Sequence, residues 1–518
     1  MEAEPVELRL EYRPWNPRNV PNGSGDIVTF STTRQPSVAL SGSIEVSEID
    51  FAISAKVLTL SGYGVTNASR SNQRFILAGD EAGFVGGLYF LNDASAGMLT
   101  SYDLQGGLAN GGAGAYCEFY NHSSASNATF VLSGPTGEGS NGASVFFGDD
   151  ANADHVTIIS QGTILDGTRG GQIYFAGNAS AGFATIVNEG AQSDSPNGGG
   201  FMIFQEDSSA SQANLTMIGA ANLAGRGGQV LFTDSSTAGS ASLFAEDGAT
   251  LGASGGSILF YNDSIGGNAR LALFGNGTLD LWSHNPAFMT FGSIEGSGTA
   301  LIGAMFFEVG FNNLSTNFSG TLQDDGNGGT LFKEGTGTLT LSGANSYSGG
   351  TAIDGGTLLV TTRGASPTGT GDISVNQGTL AGTSRLTGGI IVGTGAGEGA
   401  FLAPGANGVG TISTGGTLQF GGNAAYLCDI DLRRKRSDSV NARGVTILSN
   451  STFVLIGLGQ RRIPTGTAFT VINNISQLSI VGTFDNLADQ STITVNGNQF
   501  QANYEGGDGN DLTLMVVP

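Results

Sequence analysis

Phenylalanine recurs at a nearly fixed interval in the first half of the chain, with spacings of 28 or 29 residues. The members of this column are Phe90, Phe119, Phe147, Phe175, Phe204, Phe232 and Phe260. The residue two positions earlier is also apolar: Leu88, Cys117, Val145, Ile173, Met202, Val230 and Ile258. Two apolar columns two residues apart form one face of a β-strand. A unit repeated in this way predicts a solenoid, in which each coil buries its apolar face against its neighbours.

A second strand follows in each unit. The columns nine and eleven residues after the Phe are mostly apolar, and the column between them is polar, so one face points inward. The column eleven residues after the Phe contains Ser101, Phe130, Ile158, Ile186, Leu215, Leu243 and Leu271, and Leu99 opens the column nine residues after it. We expect the two single-residue insertions to lie in corners, because an insertion inside a strand would reverse every later side chain.

Glycine marks the corners. It recurs four residues before the Phe, as at Gly171, and fifteen residues after it, as at Gly190. A tight corner needs a positive φ or a close backbone approach, and glycine allows both. The sequence therefore predicts an all-β fold, a parallel β-helix with coils of about 28 residues. The general preference for right-handed crossovers predicts right-handed coiling.

Composition supports a folded chain and excludes some partners. Glycine accounts for 86 of 518 residues, but proline for only 12, and 39% of the residues are hydrophobic, which favours turns over disorder. A net charge of −23 argues against a nucleic-acid partner. No segment has the length and apolarity of a membrane-spanning helix. We interpret the basic run Arg433, Arg434, Lys435 and Arg436 as a solvated turn in preference to a functional patch.

Residues 329–360 read GTLFKEGTGTLTLSGANSYSGGTAIDGGTLLV. Leu339, Leu341, Ile353 and Leu358 provide core positions between glycine and asparagine corners. The segment resembles the autotransporter-associated β-strand repeat found in passenger regions of bacterial surface proteins. The resemblance implies a secreted or cell-surface β-solenoid. The first ten residues do not have a signal-peptide pattern, which by itself would predict a cytoplasmic protein.

These patterns divide the chain into four predicted regions. Residues 1–75 form an N-terminal cap with the first coils, and 76–285 form the regular solenoid repeats that contain the Phe column. Residues 286–425 form the region of autotransporter-associated repeats, and 426–518 form the C-terminal end of the solenoid or a cap.

Two arrangements of acidic residues are candidates for chemistry. Asp149 with Asp150, and Glu206 with Asp207, resemble the acid pairs that a polysaccharide lyase or hydrolase would need, but few basic residues accompany them. The column three residues after the Phe is better explained by turn capping than by calcium binding. It contains Asp93, His122, Asp150, Asn178, Asp207, Ser235 and Asp263. We therefore expect no catalysis.

The C-terminal stretch Gly506–Leu514 (GGDGNDLTL) matches the nonapeptide of calcium-binding parallel β-rolls. Asp508 and Asp511 are its candidate calcium ligands. A single copy supplies only half of a site, so the sequence favours no metal and no cofactor. The two cysteines, Cys117 and Cys428, lie in apolar columns and are expected to be buried and unreactive.

One column points outward if the Phe column points inward. It lies immediately before the Phe, and its apolar members are a candidate binding stripe unless a loop covers them. These members are Tyr89, Phe146, Tyr174, Ile203, Leu231 and Leu259, with Glu118 as the polar exception.

We predict a non-catalytic structural or adhesive β-helix, extracellular or on a bacterial surface. Extracellular glycans or other surface proteins are the expected partners. Two alternatives stay open: a carbohydrate-active enzyme on the same scaffold, and a calcium-stabilised extracellular solenoid.

Overall fold

A computed structural model describes the strands at 27–30, 37–39, 48–51 and 57–61, and residues from 64 onward except 66, 68–71, 81–84, 286, 363, 396, 406 and 407. The chain forms two compact units, Met1–Pro286 and Ala287–Pro518. Every regular element in the described residues is a β-strand. The four regions predicted from the sequence stay predictions.

The first unit is a stack of coils in which each strand pairs in parallel with the equivalent strand of the next coil. We call the sheet that contains the Phe column the Phe sheet. Its strands are Ser37–Ala39, Val57–Ser61, Gly87–Leu91, Tyr116–Phe119, Ser144–Phe147, Gln172–Phe175, Phe201–Phe204, Gln229–Phe232, Ser257–Phe260 and Thr278–Asp280. The second sheet contains Ile27–Phe30, Glu48–Phe51, Gln73–Leu77, Met98–Leu104, Asn127–Leu132, Thr157–Ser160, Thr185–Asn188, Asn214–Met217, Ser242–Ala245 and Arg270–Leu273. Single parallel bridges form a third side at Ser95, Ser124, Asn152, Ser180, Ser209, Thr237 and Ile265.

The Phe column forms the core of this stack. All seven side chains have 0% exposure. Consecutive rings lie parallel, with centroids 4.5 to 4.8 Å apart. This distance is the spacing of neighbouring strands in a sheet, so each ring packs directly on the next. The predicted parallel β-helix is confirmed, and its right-handed coiling stays a prediction.

The first insertion lies inside a strand, and its predicted position in a corner is wrong. The pairing shifts by one residue between Met98 and Ser101, which is a β-bulge. Leu99 has a φ of 51° and is 53% exposed, so it is not a core residue. Because the bulge absorbs the extra residue, Tyr102 and not Ser101 points inward, and its ring stacks 4.4 Å from Phe130.

The second insertion lies in a corner, as predicted, because the offset between paired strands becomes one residue longer only after the strand Thr185–Asn188. The same corner explains Gly190. A Cβ atom added there would lie 2.2 Å from the carbonyl oxygen of Gly219 in the next coil. Close contact between stacked backbones, rather than a positive φ, therefore requires glycine at this position.

The second unit also stacks parallel strands, but its coils differ in length and are mostly shorter than those of the first unit. A short coil leads from Ile373 to its paired residue Ile390, and a much longer one leads from Ile390 to Leu418. One sheet contains Phe288–Phe291, Phe306–Val309, Thr330–Lys333, Gly350–Ile353, Ile373–Val375, Ile390–Val392, Leu418–Phe420 and Val445–Ile447. Another contains Ser293–Gly296, Thr316–Phe318, Thr338–Leu341, Thr357–Val360, Gly378–Gly382, Ala400–Pro404, Ala424–Asp431, Arg436–Ser437 and Thr452–Leu458.

Shorter pairings complete the second unit. Thr299–Leu301 pairs with Thr321–Gln323. A further sheet begins with the parallel strands Ser384–Leu386, Thr411–Thr414, Ser439–Ala442 and Ala468–Asn474. It ends in antiparallel pairings among Ala468–Asn474, Asp511–Val517, Asn498–Gly506 and Thr492–Val495.

A lysine lies within an apolar column of this unit. Lys333 is 1% exposed and pairs with Val309 on one side and Ile353 on the other. Its Nζ donates hydrogen bonds to the carbonyl oxygens of Glu334 at 2.6 Å and Gly355 at 3.2 Å. Burial lowers the pKa of Lys333 to about 8, although the charge of Glu334 acts in the opposite direction.

Substitution Phe175→Ala should remove a ring that packs between Phe147 and Phe204. We expect the free energy of unfolding to fall by about 3–5 kcal/mol, because a cavity replaces two ring contacts. Urea unfolding measures this loss. Phe201→Ala, on the outward face of the next coil, is the matched control and should lower the free energy of unfolding clearly less. Equal losses would contradict the inward direction of Phe175 and the outward direction of Phe201.

Lys333 should make stability depend on pH. The folded pKa of about 8 lies below the ordinary value of 10.5, so above about pH 8 the unfolded chain binds more protons and stability rises with pH. Relative to Lys333→Met, the wild-type chain should gain about 1–2 kcal/mol in unfolding free energy between about pH 7 and about pH 9.5, with solvent screening allowed for.

Urea unfolding of both chains at the two pH values measures this gain. The control Ile353→Met, in the same column, should change the free energy of unfolding by the same amount at both pH values. A constant difference between the wild-type chain and Lys333→Met would rule out the lowered pKa.

Candidate binding surface

Each of the seven coils that carry the Phe column turns two corners at residues with positive φ. The first corner lies two residues after the Phe, at Asn92, Asn121, Asp149, Gly177, Glu206, Asp234 and Asn262. The second lies seven residues after it, at Gly97, Ser126, Asp154, Gly182, Ser211, Gly239 and Gly267. Asn, Asp and Gly tolerate this conformation best, which explains most of these residues.

Acidic side chains at the first corner bind the backbone of the preceding coil. The Asp149 carboxylate accepts the backbone N–H of Asn121 at 3.0 Å. Glu206 accepts the N–H of Gly177 at 2.7 Å, and Asp234 accepts the N–H of Glu206 at 3.1 Å. We call this series the corner ladder. One member of each predicted acid pair is therefore engaged in holding a corner.

The other members of the acid pairs lie on the exposed surface. Asp150 accepts a hydrogen bond from the side-chain amide of Asn178 at 3.0 Å and lies 3.8 Å from the Nε2 atom of His122. Asp207 is exposed one residue beyond Glu206. The coil that carries Gly177 and Asn178 lies between the two acid pairs, so the pairs are two coils apart. Asp149 and Glu206 accept hydrogen bonds from the backbone of the turns.

Turn capping is made by a different column from the one predicted. Side chains five residues after the Phe accept the N–H two residues further on, at 2.7 to 3.1 Å. The acceptors are Ser95, Ser124, Asn152, Ser180, Ser209 and Thr237. Their recurrence as Ser, Thr or Asn was the available signal. The side chains of the predicted column, three residues after the Phe and beginning at Asp93, are exposed and lie within the turn.

The candidate calcium ligands lie in an antiparallel hairpin. Gly506 pairs with Asp511 between the strands Asn498–Gly506 and Asp511–Val517. Asp511 is 5% exposed and accepts the N–H of Asn474 at 2.9 Å, and burial raises its pKa. Asp508 is exposed in the turn. Among the described residues no group of three or more His, Cys, Asp or Glu is arranged to hold a metal ion. Calcium binding by these two residues stays a prediction.

The outward stripe is in register along the Phe sheet. Tyr89 pairs with Glu118, Glu118 with Phe146, and Phe146 with Tyr174. Ile203, Leu231 and Leu259 continue the column in the same register. Each of these side chains is half-buried, between its neighbours above and below. The column therefore keeps partial access to solvent along its length.

Two tyrosines that the sequence reasoning did not single out enlarge this surface. Tyr116 begins the strand Tyr116–Phe119, and Tyr120 follows directly after its end. Both flank Glu118 at the two-residue spacing that could have identified them. The Tyr89 ring meets Tyr116 edge-on at 5.7 Å, and the Tyr120 ring lies 5.3 Å from Phe146. We call Tyr89, Tyr116, Tyr120, Phe146 and Tyr174 the aromatic cluster.

Hydrogen bonding fixes two hydroxyl groups of the cluster. Tyr120 donates to the Glu118 carboxylate at 2.8 Å, and Tyr174 donates to Gln172. Burial, followed by the hydrogen bond to Glu118, raises the pKa of Tyr120, so its phenol stays protonated. The cluster therefore presents aromatic rings, two of which carry ordered hydroxyl groups, and it can contact both apolar and hydrogen-bonding parts of a ligand.

The two cysteines do not provide reactive thiols. Cys117 and Cys428 are both free and buried. Burial raises the pKa of each thiol, which disfavours the nucleophilic thiolate. None of the residues that the structure describes belongs to a helix long and apolar enough to cross a membrane.

One stretch of the second unit corresponds to a known sequence family. Residues 331–360 match the passenger-associated-transport-repeat. The predicted resemblance to autotransporter passenger repeats is thereby confirmed for this stretch. The repeat comprises the core strands Thr338–Leu341 and Thr357–Val360, which pair directly, and it contains the buried Lys333.

Other comparisons are weaker. No curated protein sequence matches the chain. The crystal structure of the Haemophilus influenzae Hap adhesin aligns over 95% of this chain with 10% sequence identity and a TM-score of 0.28. The alignment covers 63% of the Hap chain, so this chain spans less than two thirds of that protein's length. The fold assignment rests on the strand pairing described above.

The corner ladder predicts unequal roles for two adjacent acids. Asp149→Ala should lower the free energy of unfolding by about 1–2 kcal/mol, because the Asn121 N–H loses its acceptor and alanine takes a left-handed conformation. Asp149→Asn should restore most of the loss, since Asn121 does the same for Asn92. Asp150→Ala is the control and should lower the free energy of unfolding by less than about 0.5 kcal/mol. Denaturant unfolding that shows equal losses at 149 and 150 would refute the ladder.

Proposed function

We propose that the protein is a non-catalytic adhesive or structural module of a secreted or cell-surface protein, with the outward stripe as its binding surface. The observation that carries the proposal is the aromatic cluster on a half-exposed sheet face. Apolar surface that stays accessible on a regular scaffold is typical of a binding site. The passenger-associated-transport-repeat at 331–360 supports the extracellular location.

The face fits an extracellular glycan or a surface protein. Its rings offer broad apolar area, and the hydroxyl of Tyr120, held by Glu118, offers a polar edge. The stripe extends through Ile203, Leu231 and Leu259, so an elongated partner can contact successive coils in the same way. A repeating polymer or an extended polypeptide is therefore favoured over a small ligand.

The absence of catalysis is supported by the use of the acidic residues. Asp149 and Glu206 accept backbone N–H groups of neighbouring coils, so their charge is directed at the scaffold. Asp150 and Asp207 stand in exposed turns. A general acid that works near neutral pH usually needs a desolvated carboxyl group close to a second carboxylate.

The test is binding of the purified chain to immobilised polysaccharides and extracellular-matrix proteins, measured by surface plasmon resonance. Tyr120→Ala combined with Phe146→Ala removes two neighbouring rings. We expect binding to weaken by at least about tenfold, because both rings lie at the centre of the proposed contact.

Ile164→Ala with Leu251→Ala is the matched control, since both residues are exposed and apolar but lie outside the strands of the Phe sheet. It should leave binding within about twofold of the wild-type value. Unchanged unfolding midpoints would show that both variants fold. The proposal is wrong if no surface is bound, or if the two double variants bind equally well.

A further inference from the structure

Basic residues are concentrated at one place in the second unit. The strands Ala424–Asp431 and Thr452–Leu458 pair in parallel and end together, with Asp431 opposite Leu458. The segments that follow them hold six of the chain's 20 basic residues: Arg433, Arg434, Lys435, Arg436, Arg461 and Arg462. In a chain of net charge −23, such a cluster is a strong local departure from the average.

A carboxylate organises the first of these segments. Asp431 accepts the backbone N–H groups of Arg433 at 2.9 Å and Arg434 at 3.0 Å, and it also pairs with the Arg434 guanidinium at 3.1 Å. Arg436 lies opposite Asp431 in a short antiparallel pairing. Three arginines are therefore held on one tight turn rather than spread along a flexible loop.

These arginines line a groove of about 430 Å³, a volume in the range of small-molecule sites. Val409 and Leu458 supply apolar lining. Gly459 also lines the groove, next to the Arg433 side chain, and its φ of +84° is a conformation that favours glycine. Arg434 is paired with Asp431, whereas no carboxylate among the described residues pairs with Arg433 or Arg436.

We propose that this groove binds a phosphorylated sugar. The two unpaired guanidinium groups match the charge of a phosphate dianion and can each donate paired hydrogen bonds to its oxygens. The apolar lining suits the carbon–hydrogen face of a sugar ring. A sulfate ester or a single carboxylate would neutralise only one of the two charges. The basic run lies in an exposed turn, as the sequence favoured, and the proposal assigns a ligand to that turn.

This site is separate from the outward stripe, which lies on other residues in the first unit. Loss of one should not change the other. The proposal therefore stands or falls independently of the adhesive function.

Isothermal titration with glucose 1-phosphate, in a buffer free of phosphate, tests the groove directly. We expect saturable binding that is at least about threefold tighter than that of inorganic phosphate, and no binding of glucose, because both the phosphate and the ring contribute. Raising NaCl from about 50 mM to about 300 mM should weaken binding, since exposed charges are screened.

Arg433→Gln with Arg436→Gln should weaken glucose 1-phosphate binding by at least about tenfold, because two charge-assisted contacts are lost. Arg385→Gln with Arg443→Gln removes the same charge from exposed arginines elsewhere in the second unit and should change affinity by less than about twofold. The single variants Arg433→Gln and Arg436→Gln give the same test if the double variant does not fold.

Three results would overturn the proposal: the absence of saturable binding to glucose 1-phosphate, equal loss in both double variants, or an affinity for inorganic phosphate equal to that for the sugar phosphate.

Discussion

The first unit depends on one constraint, the parallel pairing of each coil with an equivalent coil at the spacing of neighbouring strands. This pairing places the equivalent side chains of neighbouring coils directly on one another, so each side chain must pack well against a similar one. Flat rings such as Phe147 and Phe175 satisfy this condition, with centroids 4.7 Å apart. A coil by itself could not bury such a face, so the core exists only because the coils stack.

The corners also repeat from coil to coil, and hydrogen bonds between neighbouring coils stabilise them. A left-handed residue leaves a backbone N–H directed at the next coil, and a carboxylate such as Asp149 or Glu206 accepts it. Glycine serves where the stacked backbones come too close for a Cβ atom, as at Gly190. Asp149, Glu206 and Asp234 are therefore part of the architecture of the first unit, which reduces the number of acids left for chemistry.

Once core and corners are assigned, function rests on the remaining surface. In the first unit we propose that this surface is the aromatic cluster, whose rings suit an extended partner. In the second unit we propose the groove beside Arg433 and Arg436, which is lined mainly by charged side chains. The buried Lys333 belongs to neither surface, since its Nζ is satisfied by two carbonyl groups of the scaffold.

The sequence by itself determined the parallel coils, the buried Phe column, the cysteines' burial and the repeat at 331–360, because stacking imposes a period that can be read directly. Only the tertiary structure decided where that period is interrupted. The bulge at Leu99 preserved the inward face through Tyr102, and no periodic signal distinguishes a bulge from a longer corner. The partners of Asp149 and the groove around Arg433 likewise depend on residues that only folding brings together, since such contacts have no fixed spacing along the chain.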